Sequence, residues 1–186
     1  MSLARDFLSK WNEVIDERKE ELLTKWKGKK KQYTNLIIHS DESIVNDVAA
    51  RLSLNCFNGD YYCVDSVFYE DDDRLSGCGN NYVLKDHRIS FEHENDFKSG
   101  LYQEVSHLLL LNCDLKVLVA YPDNEEDEKK ELANLHKIIS SNRQSKSISE
   151  EEGFLILFCH EHSDSKLYKW KGWVYLDNEE QWILIT

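Results

Sequence analysis

The sequence predicts an α/β domain in which a mixed central sheet is flanked by helices and extended by a C-terminal β-hairpin. Three observations predict it. Stretches with three- and four-residue apolar spacing alternate with short β-branched or aromatic runs through the middle of the chain. The run Leu115–Tyr121 (LKVLVAY) is nearly all apolar, as a strand covered on both faces must be. The chain has 186 residues, enough for a single domain spanning 1–186 with a full hydrophobic core.

The elements follow in order. Residues 3–26 read as a helix within an N-terminal segment 1–28, because Phe7, Leu8, Trp11, Val14, Ile15, Leu22, Leu23 and Trp26 form one stripe. Gly28-Lys29-Lys30-Lys31 breaks it and is the densest basic run. A second helix is expected over 42–53, capped by Ser40 or Asp41, with Glu42 in its first turn. The period then changes to two. Tyr61–Tyr69 (YYCVDSVFY) reads as a strand with Tyr61, Cys63, Asp65, Val67 and Tyr69 on one face. Glu70–Arg88 is a polar loop or widened hairpin, and residues 88–94 (RISFEHE) form the next strand. A helix over 98–111 turns Tyr102, Val105, Leu108 and Leu109 inward. The apolar strand 115–121 ends at Pro122. A helix over 125–141 opens with acidic residues, which suit the positive pole of its dipole. Ser140–Glu152 reads as a loop and Phe154–His160 as a buried strand that ends the core, 42–160. Residues 161–186 hold the closing hairpin, with strands at 167–176 and 181–185.

Bulk properties narrow the function classes. A net charge of −12 excludes a generally basic, phosphate-gripping surface. An acidic chain still reaches a phosphate through a bound cation. Five cysteines, odd in number and without a CxxC pair, argue against a disulfide framework or zinc knuckle and suit a reducing, cytoplasmic compartment. The apolar runs fall far short of the roughly 18 residues that span a bilayer, and no apolar leader region opens the sequence.

The residues that point to chemistry are acidic. On a strand, Glu92 and Glu94 of Glu92-His93-Glu94 share a face, roughly 6.5 to 7 Å apart. Two carboxylates on one side of an apolar strand repel each other and resist burial, and a divalent cation offsets both effects. Hard cations such as Mg²⁺ or Mn²⁺ take such oxygen ligands. Asp65 can add a carboxylate from the preceding strand, and Glu42 a further one from the helix end.

These positions resemble the motif of the PD-(D/E)xK restriction-endonuclease-like nucleases. That group shares an α-β-β-β-α-β core with an aspartate on one strand, a D/E-x-K pair on the next, and often a glutamate on the first helix. The matching residues are Asp65 in VDSVFY, Glu92 and Glu94 in ISFEHEN, and Glu42 in SDESIVNDV. The resemblance covers about residues 42–121. It implies a restriction-endonuclease-like fold and a Mg²⁺- or Mn²⁺-dependent hydrolase that cleaves DNA. Glu42, Asp65 and Glu92 would hold metal, and Asp65, Glu92 and Glu94 would serve catalysis, with Glu94 orienting the attacking water and Lys116 or Lys85 steadying the phosphate. The sequence departs from the pattern in three ways: Glu94 replaces the motif lysine, Val64 replaces the proline, and one strand is read before the glutamate pair where the group often has two. A non-catalytic protein-interaction module on the same fold, with a stable protein partner, is the alternative. A homodimer built on the first helix is a third reading.

Other patterns are weaker. His160 and His162 share a strand face without a third metal ligand at fixed spacing. Ser66, Ser106 and His107 lie in no nucleophile elbow, and Gly77-Cys78-Gly79-Asn80 lacks the rest of a phosphate-binding loop. Trp170, Trp173, Tyr175 and Trp182, interleaved with Lys169 and Lys171, read first as hairpin core and second as a base-stacking surface.

Overall fold

The computed structural model describes residues 2–26, 30–78, 82–161, 168–178 and 180–186. Residues 28 and 29 of the basic run, His162 and part of the glycine-bearing stretch 77–80 lie outside them. The fold is mixed α/β. The N-terminal stripe forms two helices, not one: α1 (Leu3–Glu17) and α2 (Lys19–Trp26). The break falls at Arg18, whose guanidinium reaches Asp47 at 2.9 Å and Glu21 at 2.7 Å. After α3 (Lys30–Thr34) comes one π-helical turn, Asn35–His39, and then α4 (Ile44–Arg51). The cap of α4 is Ser43, whose hydroxyl accepts from the Asn46 amide, not Ser40 or Asp41. Glu42 therefore stands in the turn ahead of the helix.

Among the described residues seven strands make one sheet in the order β1-β2-β3-β4-β5-β6-β7. They are β1 (Asn55–Phe57), β2 (Ser66–Tyr69), β3 (Ile89–Glu94), β4 (Leu115–Ala120), β5 (Phe154–Glu161), β6 (Tyr168–Tyr175) and β7 (Trp182–Ile185). β3, β4 and β5 are parallel and every other pairing is antiparallel. The closing hairpin is thus a continuation of the central sheet. Parallel neighbours need crossovers. α5 (Tyr102–Leu110) joins β3 to β4, and α6 (Glu125–Ser140) with α7 (Ser145–Glu150) joins β4 to β5. Successive crossovers of one hand, stepping one way across a sheet, put their helices on the same face. α5, α6 and α7 accordingly share one core with Leu118, Ala120, Ile156 and Phe158. α1 and α4 cover the other face with Phe91, Val117, Leu155 and Val174, and Trp11 is wholly buried there.

Other elements also depart from expectation. The strand expected over 61–69 begins only at Ser66, because Asp60, Tyr62 and Cys63 adopt positive φ in a tight turn closed by Tyr61 and Val64. β1 was missed; three half-buried residues carry too short a pattern to read. The segment Ser140–Glu152, expected as loop, holds α7. Tyr102 is exposed rather than inward, since α5 buries Val105, Leu108 and Leu109. The aromatic cluster divides between faces: Trp170 packs beside Trp11, while Tyr175 and Trp182 are buried with α6 and α7. Among the described residues no helix is long and apolar enough to cross a membrane.

Candidate metal centre

The sheet register brings Asp65 and Glu92 together. Ser66 pairs with Phe91, so Asp65 enters β2 beside Glu92. The Asp65 amide donates to Glu92 Oε2 at 3.3 Å, and the His93 amide donates to Asp65 Oδ2 at 2.8 Å. Glu92 is only 3% exposed. With Oε2 held by the backbone, Oε1 points at α5 and is buried without a hydrogen-bond partner.

α5 supplies the groups that face it. Glu104 and His107, three residues apart, fall on neighbouring positions of the helix face beside Leu108. His107 Nδ1 lies 3.7 Å from Glu92 Oε1 and 3.6 Å from Glu104 Oε2, and is itself buried without a hydrogen-bond partner. One ligand atom from each of Glu92, Glu104 and His107 lies within 4.8 Å of the other two. At metal–ligand distances of about 2.0 to 2.2 Å, adjacent ligand atoms stand roughly 3 to 3.5 Å apart. The cluster is slightly wider than that, and the half-exposed Glu104 is free to close it. Two orphaned buried atoms and a second carboxylate fit a divalent cation.

The electrostatics agree. Burial, then the charges of Asp65 and Glu104, pushes the Glu92 carboxyl up to about 10. Burial also raises Asp65, opposed by the hydrogen bond from the His93 amide. Without a cation Glu92 carries a proton at neutral pH; a cation would take the proton's place.

The remaining residues proposed from the sequence lie around this centre or away from it. Glu94 is half-buried, close enough to Asp65 to raise its carboxyl, and accepts from the Asp96 amide in the turn after β3. Glu42 is exposed, and the helix that follows it, α4, packs on the opposite face of the sheet from α5. Lys116 is buried on β4, with its ammonium on Cys113, and Lys85 is exposed. His160 bonds to Glu128, which also takes Lys171 at 3.1 Å and Trp173 Nε1 at 2.8 Å. Sequence reasoning missed Glu104 and His107. The available signal was an acidic-x-x-His pair on the helix that follows the Glu-x-Glu strand.

No family model, curated protein or solved structure matches the chain. Its functional description therefore rests on this centre, a cluster of the buried Glu92 with the half-buried Glu104 and His107 able to hold a metal ion.

Proposed function

We propose that the chain is a divalent-metal-dependent phosphodiesterase of the PD-(D/E)xK type acting on DNA, with Glu92, Glu104 and His107 as metal ligands and Asp65 beside them. The observation that carries it is the orphaned, buried Oε1 of Glu92 facing the equally orphaned Nδ1 of His107. Two features support the nuclease class. The run α4-β1-β2-β3-α5-β4 repeats the α-β-β-β-α-β order of the restriction-endonuclease-like core, β1 supplying the strand that the sequence reading lacked. Asp65 enters one strand and Glu92-x-Glu94 lies on the next. A bound cation would polarise the scissile phosphate and make its water acidic. Glu92 and Asp65 hold the acidic floor, and Glu94 is the side chain available to orient the water.

An imidazole ligand favours Mn²⁺ over Mg²⁺, because Mg²⁺ prefers oxygen donors and keeps its waters. The test is cleavage of plasmid and single-stranded DNA by the purified chain with Mn²⁺ or Mg²⁺. Turnover with Mn²⁺ that chelation and Glu92→Gln both abolish is expected. Binding of Mn²⁺ without any turnover would sink the nuclease reading. It would leave the second reading, a non-catalytic module with a protein partner, which Glu94 at the motif-lysine position and the net charge of −12 favour.

A further inference from the structure

The turn that leads into Asp65 is strained and presents an aromatic ring. Asp60, Tyr62 and Cys63, none of them glycine, stand at φ of 51°, 51° and 70°. Side chains seldom adopt this left-handed region, and several so close together persist only where neighbouring contacts hold them. Here Tyr61 and Val64 exchange backbone hydrogen bonds at 3.0 and 3.2 Å, and Val64 is buried in the same core as Val105 and Leu108 of α5. The Tyr61 hydroxyl accepts from the Leu84 amide at 3.2 Å. The turn is thereby fixed between α5 and the loop that joins β2 to β3, and the next residue, Asp65, donates its amide to Glu92. Tyr62, three residues before Asp65, is carried outward and is 74% exposed.

A row of rings stands behind it. Tyr61 meets Tyr62 edge to face with centroids 4.7 Å apart, Phe57 meets Tyr61 at 5.9 Å, and Tyr82 stacks on Phe57 at 4.0 Å. Arg74 closes the row, its guanidinium 4.5 Å from the centre of the Tyr82 ring. The row holds the Tyr62 ring without covering it, so a flat partner can stack there with little ordering left to be done. Charge selects that partner. Asp60 beside Tyr62, and Asp71 and Asp72 in the short helical turn after β2, are exposed carboxylates. Such a surface repels a phosphate backbone. A nucleic-acid duplex offers it that backbone and keeps its bases stacked inside. A single strand can turn its bases to the ring and its phosphates toward a bound cation.

We infer that Tyr62 is a base-stacking platform beside the metal centre, and that the substrate class is an unpaired nucleic-acid strand. The inference rests on the nuclease reading of that centre and adds to it the means by which the strand is held. One base stacks on the Tyr62 ring, and the adjoining phosphate passes Asp65 toward Glu92, Glu104 and His107. Tyr62 meets the bound strand away from the reacting phosphate, so it sets affinity and leaves the chemical step to the metal centre.

The experiment takes the full chain and a labelled oligonucleotide in three forms: single-stranded, annealed to its complement, and with abasic sites in place of its bases. Binding is read by fluorescence anisotropy in EDTA, so that no strand is cut, and cleavage is then read in Mn²⁺. The intact single strand should bind most tightly of the three. Tyr62→Ala should weaken it about fivefold or more, the loss of one stacked base, while Tyr62→Phe keeps the ring and should bind as the unaltered chain does. In Mn²⁺, Tyr62→Ala should raise KM for the single strand and leave kcat in place. Circular dichroism checks that both variants fold. Equal binding of the intact and abasic strands, binding of none of the three, or undiminished binding by Tyr62→Ala would overturn the platform even if the chain cleaves DNA. Tyr62-dependent binding of the single strand without cleavage in Mn²⁺ would support the platform and remove the nuclease reading alone.

Discussion

His107 Nδ1 on α5 and Glu92 Oε1 on β3 face each other at 3.7 Å, each buried and without a hydrogen-bond partner. Buried polar atoms are seldom left so, because an unmade hydrogen bond costs about 1 to 3 kcal/mol. A pair of them, with a second carboxylate adjoining, is an arrangement in which one cation relieves several costs at once.

The first prediction concerns ion selectivity. Titration calorimetry should find Mn²⁺ bound more tightly than Mg²⁺. His107→Ala should weaken Mn²⁺ by roughly tenfold or more, in the range seen when metal-site partners are removed. Mg²⁺ should lose less, since it gains little from an imidazole. Equal losses for both ions would remove His107 from the ligand set.

The second concerns pH. Glu92 is raised in the folded protein, so the metal-free fold binds a proton there that the unfolded chain releases. Its contribution to stability is complete below the unfolded value of 4.5 and declines as pH rises toward about 10. Asp65, also raised, acts in the same direction. Urea denaturation of the metal-free protein should therefore show falling stability from mildly acidic to alkaline pH. Glu92→Gln should flatten the slope, and Mn²⁺ should restore stability most at the alkaline end. A metal-free stability that rises across this range would contradict the buried carboxyl pair.

The third concerns the carboxylate that ties α6 to the sheet. Glu128, 2% exposed, receives His160, Lys171 and Trp173. Glu128→Ala leaves the indole unpaired and Lys171 with the exposed Glu125 as its anionic partner. Removing one member of a buried charge network costs roughly 3 kcal/mol. Glu125→Ala, at the surface, should leave stability nearly unchanged. Similar losses for the two variants in chemical denaturation would refute the special role of Glu128.

The sequence announced the long periodic elements and concealed the short ones. α6, β4 and β5 follow from apolar spacing over six residues or more. β1, with three half-buried residues, and α7, polar but for Ile148, carry no such pattern. Tyr62 and Cys63 read as strand because aromatic and β-branched types dominate their neighbourhood, yet their backbone turns at positive φ. The site was half legible for a related reason. Strand alternation ties Glu92 to Glu94, and adjacency of strands ties both to Asp65. Glu104 and His107 join them only through the way α5 crosses back over β3, a tertiary relationship that no local spacing encodes.

The sequential strand order has a consequence for self-association. The sheet ends in its three-residue β1 on one side and its four-residue β7 on the other, while the eight-residue β5 and β6 lie inside. An intruding chain seeking to extend the sheet finds a brief row of free amides and carbonyls at either border. Short borders of this kind are how β-proteins discourage runaway polymerisation. Here the brevity that hid β1 from a reading of the sequence also blunts that edge as a template for fibres.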